Sequence, residues 1–333
     1  MRSSARQAVP CLLALLILAG CGGTSPFNQP SPSPSPVTPS VTDELAVPTA
    51  ASQPAGITRG PDANIWFAEE AGNKIGTVAS SVVTEYQVPT LAAQPFSLVV
   101  GADSGIWFTE AASNKIGRVN TLGGFTEYAL PGAGTPKVMV LGPDGNLWFT
   151  EPGLNRIGSI TTAGTISECQ IPTPAANPFG IVSGPDGALW FTEQGTSKIG
   201  RVTTGCSVTE YPTATPSAGP YWISLGPDGA LWFTETTVNK LGRIAVNGTA
   251  TDYTVAGIGA VSTMVLGIDG KFYMADTPNN KIAQVNISTT PPTAIEYAIP
   301  TANATPFGMT LGVDGKVYFT ENTGNKLAQF TYF

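Results

Sequence analysis

Acidic residues recur along this sequence at intervals of 41 to 45 residues, and each is followed five positions later by a basic residue. Two carboxylates held close together can act as a general acid and base, or they can bind a metal ion. A charge that recurs with an opposite charge beside it is more typical of an ion pair across a hairpin, which is the interpretation we favour. The acidic positions are Glu69, Glu110, Glu151, Glu193, Glu235, Asp276 and Glu321, and the basic positions are Lys74, Lys115, Arg156, Lys198, Lys240, Lys281 and Lys326.

The usual catalytic and metal-binding patterns are missing from the sequence. It contains no histidine, the side chain that most naturally serves as a base near neutral pH. It has no Cys/His cluster for zinc, no calcium loop, no nucleophile elbow and no phosphate loop. The sequence therefore predicts no metal ligand.

A sequence motif that reads Gly-Pro-Asp-Gly-x-Leu-Trp-Phe-Thr-Glu in its fullest form repeats along the chain. Its aspartate occurs seven times, at spacings of 41 to 45 residues. Units of this length that contain several short strands are typical of a β-propeller. The aspartates are Asp62, Asp103, Asp144, Asp186, Asp228, Asp269 and Asp314. We predict an all-β, seven-bladed β-propeller.

Each repeat reads as four short strands, called A to D from the axis outward. In the unit from Phe96 to Tyr128, runs rich in aromatic and β-branched residues alternate with Gly, Asp and Asn turns. The Trp-Phe pair of strand B places large side chains on opposite faces, so both can be buried between neighbouring blades.

The order of the strands predicts how the ring closes. Strands A, B and C occur seven times, whereas strand D follows only the first six C strands. The segment around Leu45 matches the strand D around Tyr86, because each precedes its turn aspartate by 17 residues. We expect this N-terminal strand to complete the last blade, three strands plus one, in a propeller that spans residues 41–333.

The front of the chain resembles a bacterial lipoprotein leader. Arg2 and Arg6 precede a short apolar stretch, and residues 18–21, Leu-Ala-Gly-Cys, resemble a lipobox. We expect residues 1–20 to be a signal peptide and Cys21 to carry a lipid. Residues 22–40 contain six prolines and five serines, which predicts an extended tether. The protein is then secreted and membrane-anchored in the cell envelope, at the outer membrane where there are two.

Charge and cysteine content narrow the range of partners. Without the signal peptide the chain has 14 basic and 23 acidic residues, a net charge of −9, which argues against nucleic-acid binding. An oxidising compartment permits a disulfide between Cys169 and Cys206, but the sequence does not give their separation. No large exposed apolar patch is evident in the repeats, so we expect a monomer.

The repeated phrases resemble the virginiamycin B lyase (streptogramin lyase) family. Gly-Pro-Asp-Gly-Ala-Leu-Trp-Phe-Thr-Glu, then Asn-Lys-Ile-Gly-Arg, then Thr-Glu-Tyr-x-x-Pro-Thr carry the resemblance over residues 41–333. It implies a seven-bladed fold and a Mg²⁺-assisted elimination that opens the lactone of type B streptogramins, with histidines at the starts of inner strands. The matching positions here are Ala55, Phe96, Lys137, Phe179, Tyr221, Ser262 and Phe307.

None of these seven positions is a histidine, so two interpretations of them stay open. Phe96, Lys137, Phe179, Tyr221, Ser262 and Phe307 could form a ligand-binding mouth at the central channel, or the aromatic residues could plug the channel as core. For catalysis, Lys137 and Tyr221 are the only weak candidates, and each would need a strongly lowered pKa.

Three functional hypotheses follow. The first is a lipid-anchored propeller that binds an envelope ligand or protein partner without catalysis and needs no cofactor. The alternative is a diverged Mg²⁺-dependent lyase, a carbon–oxygen lyase that opens a lactone with non-histidine groups. The third is a purely structural component of the envelope with a plugged channel.

Overall fold

The computed structural model describes residues 38–333, which form seven four-stranded antiparallel sheets. The predicted signal peptide, Cys21 and most of the predicted tether lie outside the described residues. The first strand is β1 (Ser40–Ala46). Blade 1 comprises β2 (Pro54–Arg59), β3 (Ile65–Glu69), β4 (Lys74–Ala79) and β5 (Val82–Gln87). Blade 2 comprises β6 (Pro95–Val100), β7 (Ile106–Glu110), β8 (Lys115–Val119) and β9 (Phe125–Ala129). Blade 3 comprises β10 (Met139–Leu141), β11 (Leu147–Glu151), β12 (Arg156–Ile160) and β13 (Ile166–Gln170). A 3-10 helix, Pro152–Leu154, connects β11 to β12.

The remaining blades repeat the pattern. Blade 4 comprises β14 (Pro178–Ser183), β15 (Leu189–Glu193), β16 (Lys198–Val202) and β17 (Val208–Pro212); blade 5 comprises β18 (Pro220–Leu225), β19 (Leu231–Glu235), β20 (Lys240–Ile244) and β21 (Ala250–Tyr253); blade 6 comprises β22 (Met264–Leu266), β23 (Phe272–Asp276), β24 (Lys281–Asn286) and β25 (Thr293–Ala298); blade 7 comprises β26 (Pro306–Leu311), β27 (Val317–Glu321) and β28 (Lys326–Thr331). Within residues 38–333, no helix has the length and apolar character that crossing a bilayer requires.

The first strand closes the ring. β1 pairs antiparallel with β28, from Ser40 opposite Thr331 to Ala46 opposite Lys326, with an irregularity between Thr42 and Leu45. Blade 7 is therefore ordered β26, β27, β28, β1 from the axis outward. The seven blades and the three-plus-one closure predicted from the sequence are confirmed.

An asparagine between strands B and C of blade 7 stabilises this closure. Asn325, whose φ of 55° suits the left-handed region that asparagine tolerates, donates to the carbonyls of Val47 and Thr49 at 3.1 and 3.0 Å. Its Oδ1 accepts the backbone N–H of Ser52 at 2.8 Å. Asn325 thus holds the chain that leaves β1 against the B–C turn of blade 7.

The core lies between blades, where the strand B tryptophans are buried. Trp66, Trp107 and Trp190 have no exposed surface. Their indole N–H groups also reach the turn aspartates: Trp107 Nε1 donates to Asp103 Oδ1 at 3.0 Å. The same aspartate accepts Arg118 Nε at 2.6 Å. The recurrent aspartate therefore does more than shape the turn, because it satisfies a donor that the core would otherwise leave unpaired.

The outer strand of each blade touches the C–D turn of the next. A Cβ added to Gly123 would lie 2.4 Å from the ring of Tyr86, and one added to Gly164 would lie 2.3 Å from the ring of Tyr128. The corresponding pair at blades 3 and 4 is Cys169 and Cys206, whose Cα atoms are 5.4 Å apart and whose sulfurs form a disulfide. The two cysteines are close enough to bond because the C–D turn of blade 4 lies against strand D of blade 3.

Removing the closing strand tests the ring directly. Deletion of residues 40–48 should lower the melting temperature strongly, because β28 then becomes an open sheet edge and the Asn325 contacts are lost. Differential scanning calorimetry measures the change. Deletion of residues 22–37, which precede the strand, is the matched control and should leave the melting temperature unchanged. Equal melting temperatures for both deletions would contradict the closure.

Candidate functional site

The starts of the inner strands meet around a cavity of about 320 Å³ at one end of the channel. Five of the six predicted ligand-binding residues line it, together with Ala55 and with residues from the ends of strands B and the adjoining loops. The lining residues are Ala55, Glu70, Phe96, Lys137, Phe179, Tyr221, Thr277, Thr305, Pro306, Phe307 and Asn322. We call this set the mouth.

Ser262 is the predicted residue that does not line the mouth. Its hydroxyl lies 3.0 Å from Thr277 Oγ1 and 3.4 Å from the carbonyl of Ala275. Blade 6 has Ala260-Val261 where other blades place a proline, and its inner strand is only three residues long. Thr277, at the end of strand B, lines the mouth in place of Ser262.

Buried threonines on strand B position the mouth residues. Thr150 Oγ1 donates to the carbonyl of Phe179 in the next blade at 2.9 Å and accepts the N–H of Val138 in its own blade at 3.2 Å. Because Thr150 is fully buried, losing such a bond would leave unpaired polar groups and cost about 1–3 kcal/mol. The same donation from strand B joins Thr109 to Lys137, Thr192 to Tyr221 and Thr320 to Ala55. In blade 6, Thr263, just before the inner strand, donates to the carbonyl of Phe307 instead. The backbone that carries the mouth is therefore held by the neighbouring blade.

Four aromatic rings form the wall and floor of the mouth. Phe179 stacks on Tyr221 with ring centroids 3.9 Å apart, and Phe96 lies 5.6 Å from Phe307 and 6.2 Å from Phe179. Phe96 is buried, whereas the other three rings are half-buried. Phe96 and Phe307 also line an apolar cavity of about 200 Å³ deeper in the channel. These two rings thus separate the channel interior from the mouth, while Phe179 and Tyr221 face the mouth cavity.

The mouth carries one cation and one carboxylate. Lys137 Nζ lies 4.7 Å from the ring centroid of Phe96, a cation–π contact. Burial raises the pKa of Glu70, and the positive charge of Lys137 opposes that rise. Glu70 was not among the residues predicted from the sequence, although it is the only charged residue at its position in the repeat. The other six blades have Ala111, Pro152, Gln194, Thr236, Thr277 and Asn322 there.

Tyr221 is poorly suited to act as a base. Burial and the nearby carboxylate of Glu70 raise its pKa well above the usual range of tyrosine. A base of this kind would need the opposite shift. The position of Tyr221 instead favours contact between a ligand and its ring and hydroxyl group.

The predicted ion pairs across the B–C hairpins were wrong. Among residues 38–333, no salt bridge joins a strand B carboxylate to the base five residues later. Six of the seven bases reach the carboxylate of strand D instead. Some of these carboxylates also accept hydrogen bonds from a threonine, as Glu85 does from Thr49 at 2.8 Å. The observed pairs are Lys74–Glu85, Lys115–Glu127, Arg156–Glu168, Lys198–Glu210, Lys281–Glu296 and Lys326–Glu44.

The six strand B glutamates are buried, and burial raises the pKa of each into the neutral range. Burial, together with the neighbouring carboxylate of Glu85, raises the pKa of Glu69 to about 7. Both oxygens of Glu69 are buried without a hydrogen-bond partner within residues 38–333, an environment that disfavours the charged form. Glu110, Glu151, Glu193 and Glu321 have pKa values of about 7, and Glu235 of about 8. Their repetition in nearly every blade marks them as part of the scaffold.

The mouth does not suit a magnesium ion. Mg²⁺ is bound in proteins by oxygen ligands that include one or two carboxylates. The mouth offers a single carboxylate, Glu70, whose charge is countered by the ammonium group of Lys137. Within the part of the chain that the structure describes, no three carboxylate, cysteine or histidine side chains are close enough together to hold a metal ion.

Comparison with known proteins identifies the family. The model of the virginiamycin B lyase family matches residues 37–218 and 180–332. The chain belongs to the virginiamycin B lyase family. The comparison with curated protein sequences gives no significant match.

Solved structures agree with this family and its fold. A streptogramin B lyase is 36% identical, with a TM-score of 0.82 over 87% of this chain and 97% of that one. Virginiamycin B lyase from Staphylococcus aureus is 34% identical, with the same TM-score over 87% and 99% of the two chains. A catalytically inactive histidine-to-alanine variant of the S. aureus enzyme, solved with quinupristin, gives the same values.

The buried carboxyls predict that the propeller loses stability as pH rises. An acid whose folded pKa is raised from 4.5 to about 7 contributes stability that is fully present below pH 4.5 and lost as pH rises through 7. The free energy of unfolding, measured with denaturant between pH 5 and 9, should therefore fall toward alkaline pH. Glu110→Gln should reduce that fall by at most about 3 kcal/mol. Glu110→Asp keeps a titratable acid and should keep the slope; a flat profile for the wild-type chain would contradict the assignment.

Proposed function

We propose that this chain is a ligand-binding propeller of the bacterial cell envelope that performs no lyase reaction. The composition of the mouth carries the proposal: three half-buried aromatic rings, one lysine and one glutamate surround a cavity, in a chain without histidine. The relative from S. aureus that lost one histidine is described as catalytically inactive. A family member with no histidine at all lacks the group on which that enzyme depends.

The lining of the mouth favours a ring-bearing ligand. A flat ring can pack against Phe179, Tyr221 and Phe307, since aromatic side chains supply large contact areas with defined geometry. An anionic group on the ligand can reach Lys137, and an amine or hydroxyl can donate to Glu70. An aromatic compound, a sugar or an exposed side chain of a partner protein has this combination of groups.

The leader supports the proposed location. The lipobox resemblance ending at Cys21 supports a lipid anchor, and residues 22–37 would span at most about 55 Å when fully extended. A propeller held at such a distance can meet ligands or partners in the envelope while staying attached to the membrane. Where the cell has two membranes, we propose the outer one.

A diverged lyase is the second candidate. The 36% identity to a streptogramin B lyase and the presence of Lys137 and Tyr221 in one cavity favour it. The raised pKa of Tyr221 and the poor fit to Mg²⁺ count against it.

Incubation with a type B streptogramin separates the two candidates. The chain beginning at residue 22 should leave the antibiotic intact in the presence of Mg²⁺, because it contains no histidine to act as the base. Mass spectrometry and chromatography of the ring-opened product measure the outcome, with the S. aureus lyase as positive control. Mg²⁺-dependent ring opening that Lys137→Ala and Tyr221→Phe together abolish would establish the lyase instead.

A cysteine substitution tests the anchor. Cys21→Ala should move the protein from the membrane fraction to the soluble envelope fraction, because the thiol that accepts the lipid is gone. Immunoblots of fractionated cells and incorporation of labelled palmitate measure this change. Cys11→Ser, within the predicted signal peptide, is the matched control and should stay in the membrane fraction. Membrane retention of Cys21→Ala without palmitate incorporation in either chain would contradict the anchor.

A further inference from the structure

Blade 7 departs from blades 1, 2, 4 and 5 in the packing of its strand B ring. In those four blades the strand B ring is covered by the tyrosine of strand D in the same blade. Tyr86 stacks on Trp66 with centroids 5.8 Å apart and planes 10° apart, and Tyr128 stacks on Trp107 at 5.5 Å and 14°. The same stacking joins Trp190 to Tyr211 and Trp232 to Tyr253.

Blade 7 has a leucine where this covering tyrosine stands. Leu45 of β1 pairs with Leu327, in the place that Tyr86 takes beside Ile75 in blade 1. The strand B ring of blade 7 is Tyr318, which stays half-buried, whereas the corresponding tryptophans are at most 2% exposed. A branched aliphatic side chain covers less of a ring than tyrosine does.

The result is a cavity of about 410 Å³ between blades 7 and 1, which we call the seam cavity. It exceeds the mouth in volume and falls in the range of small-molecule sites. Its lining residues are Asp43, Glu44, Leu45, Ala63, Asn64, Ile65, Val78, Ser80, Ser81, Tyr318, Leu327, Ala328 and Gln329. On the blade 1 side, Ser80 and Ser81 replace the Leu-Gly pair that the next C–D turn uses.

The charges around the seam cavity are acidic on balance. Tyr318 Oη donates to Asp314 Oδ2 at 3.1 Å, and Lys316 Nζ lies 3.9 Å from the same oxygen. Glu44 is paired with Lys326 at 2.8 Å. Asp43 is exposed at the rim, in a left-handed conformation with φ of 51° at the irregularity in β1. Asp43 is thus the charged residue best placed to contact a ligand, because it is exposed whereas Glu44 and Asp314 already have partners.

Burial and the carboxylates of Asp314 and Asp43 raise the pKa of Tyr318 to about 12. The hydroxyl therefore stays protonated at physiological pH, and its ring remains a neutral stacking surface. A negative potential at this end of the cavity disfavours an anionic ligand and favours a cation.

We propose that the seam cavity is a second ligand site, for an aromatic ring that carries a cationic substituent. The ring stacks on Tyr318 in the place that a strand D tyrosine takes in blades 1, 2, 4 and 5. The cationic group lies near Asp43, and polar substituents on the ring meet Asn64 and the two serines.

Tyramine, a phenol with an ammonium group, is the probe for this site. Calorimetric titration of the chain beginning at residue 22 should give a Kd of about 1 mM or tighter. Leu45→Tyr restores the residue of the repeat and should weaken binding by about tenfold or more, because its own ring fills the place of the ligand. Asp43→Asn should weaken binding about threefold. The anionic analogue 4-hydroxyphenylacetate should bind more weakly than tyramine.

Controls separate the seam cavity from the mouth. Lys137→Ala alters only the mouth and should leave the tyramine affinity unchanged. If Leu45→Tyr fails to fold, as judged by its circular dichroism and melting curve, Val78→Phe fills the cavity from the blade 1 side. The proposal is overturned if tyramine does not bind, if neither filling variant changes its affinity, or if 4-hydroxyphenylacetate binds equally well.

Discussion

The pairing of β1 with β28 is the constraint on which the rest of the structure depends. It converts a row of seven sheets into a ring, so that each blade has a neighbour on both faces. In the closed ring each strand B tryptophan is buried, and a threonine of one blade holds the start of the next inner strand. The last such bond, from Thr320 to the carbonyl of Ala55, crosses from blade 7 to blade 1 and exists only in the closed ring. The geometry of the mouth is therefore a consequence of closure.

Residues that repeat in every blade build the scaffold, and function is expected where the repeat breaks. The buried acids of strand B and the ion pairs between strands C and D recur around the ring, which argues that they stabilise the blades. Lys137 and Glu70 occur once each, and both lie at the mouth. Leu45 also breaks the repeat, and a cavity lies beside it. In a protein built from repeats, the exceptions mark the candidate sites more clearly than the motifs do.

The sequence predicted the fold nearly completely, because period, turn residues and strand alternation are local signals. Closure followed from the register of Leu45 against Tyr86. The ion pairs were predicted wrongly because spacing along the chain shows that Glu69 and Lys74 are close but not that strand D offers Lys74 a better partner, Glu85. The position of Ser262 was also beyond the sequence, since the contact of its hydroxyl with Thr277 depends on the folded backbone of blade 6. Glu70 could have been found from the sequence by comparing the residues that follow strand B in each blade.

The central claim is that the mouth binds a ring-bearing ligand through its aromatic residues and its two charges. The most direct test is a calorimetric titration with L-phenylalanine, which carries a ring, a carboxylate and an ammonium group. The wild-type chain, Lys137→Ala, Glu70→Gln and the double variant would be compared under one set of conditions. We predict binding to the wild-type chain, weaker binding to each single variant and the weakest binding to the double variant. Equal affinity in all four chains, or no heat of binding in any of them, would contradict the claim.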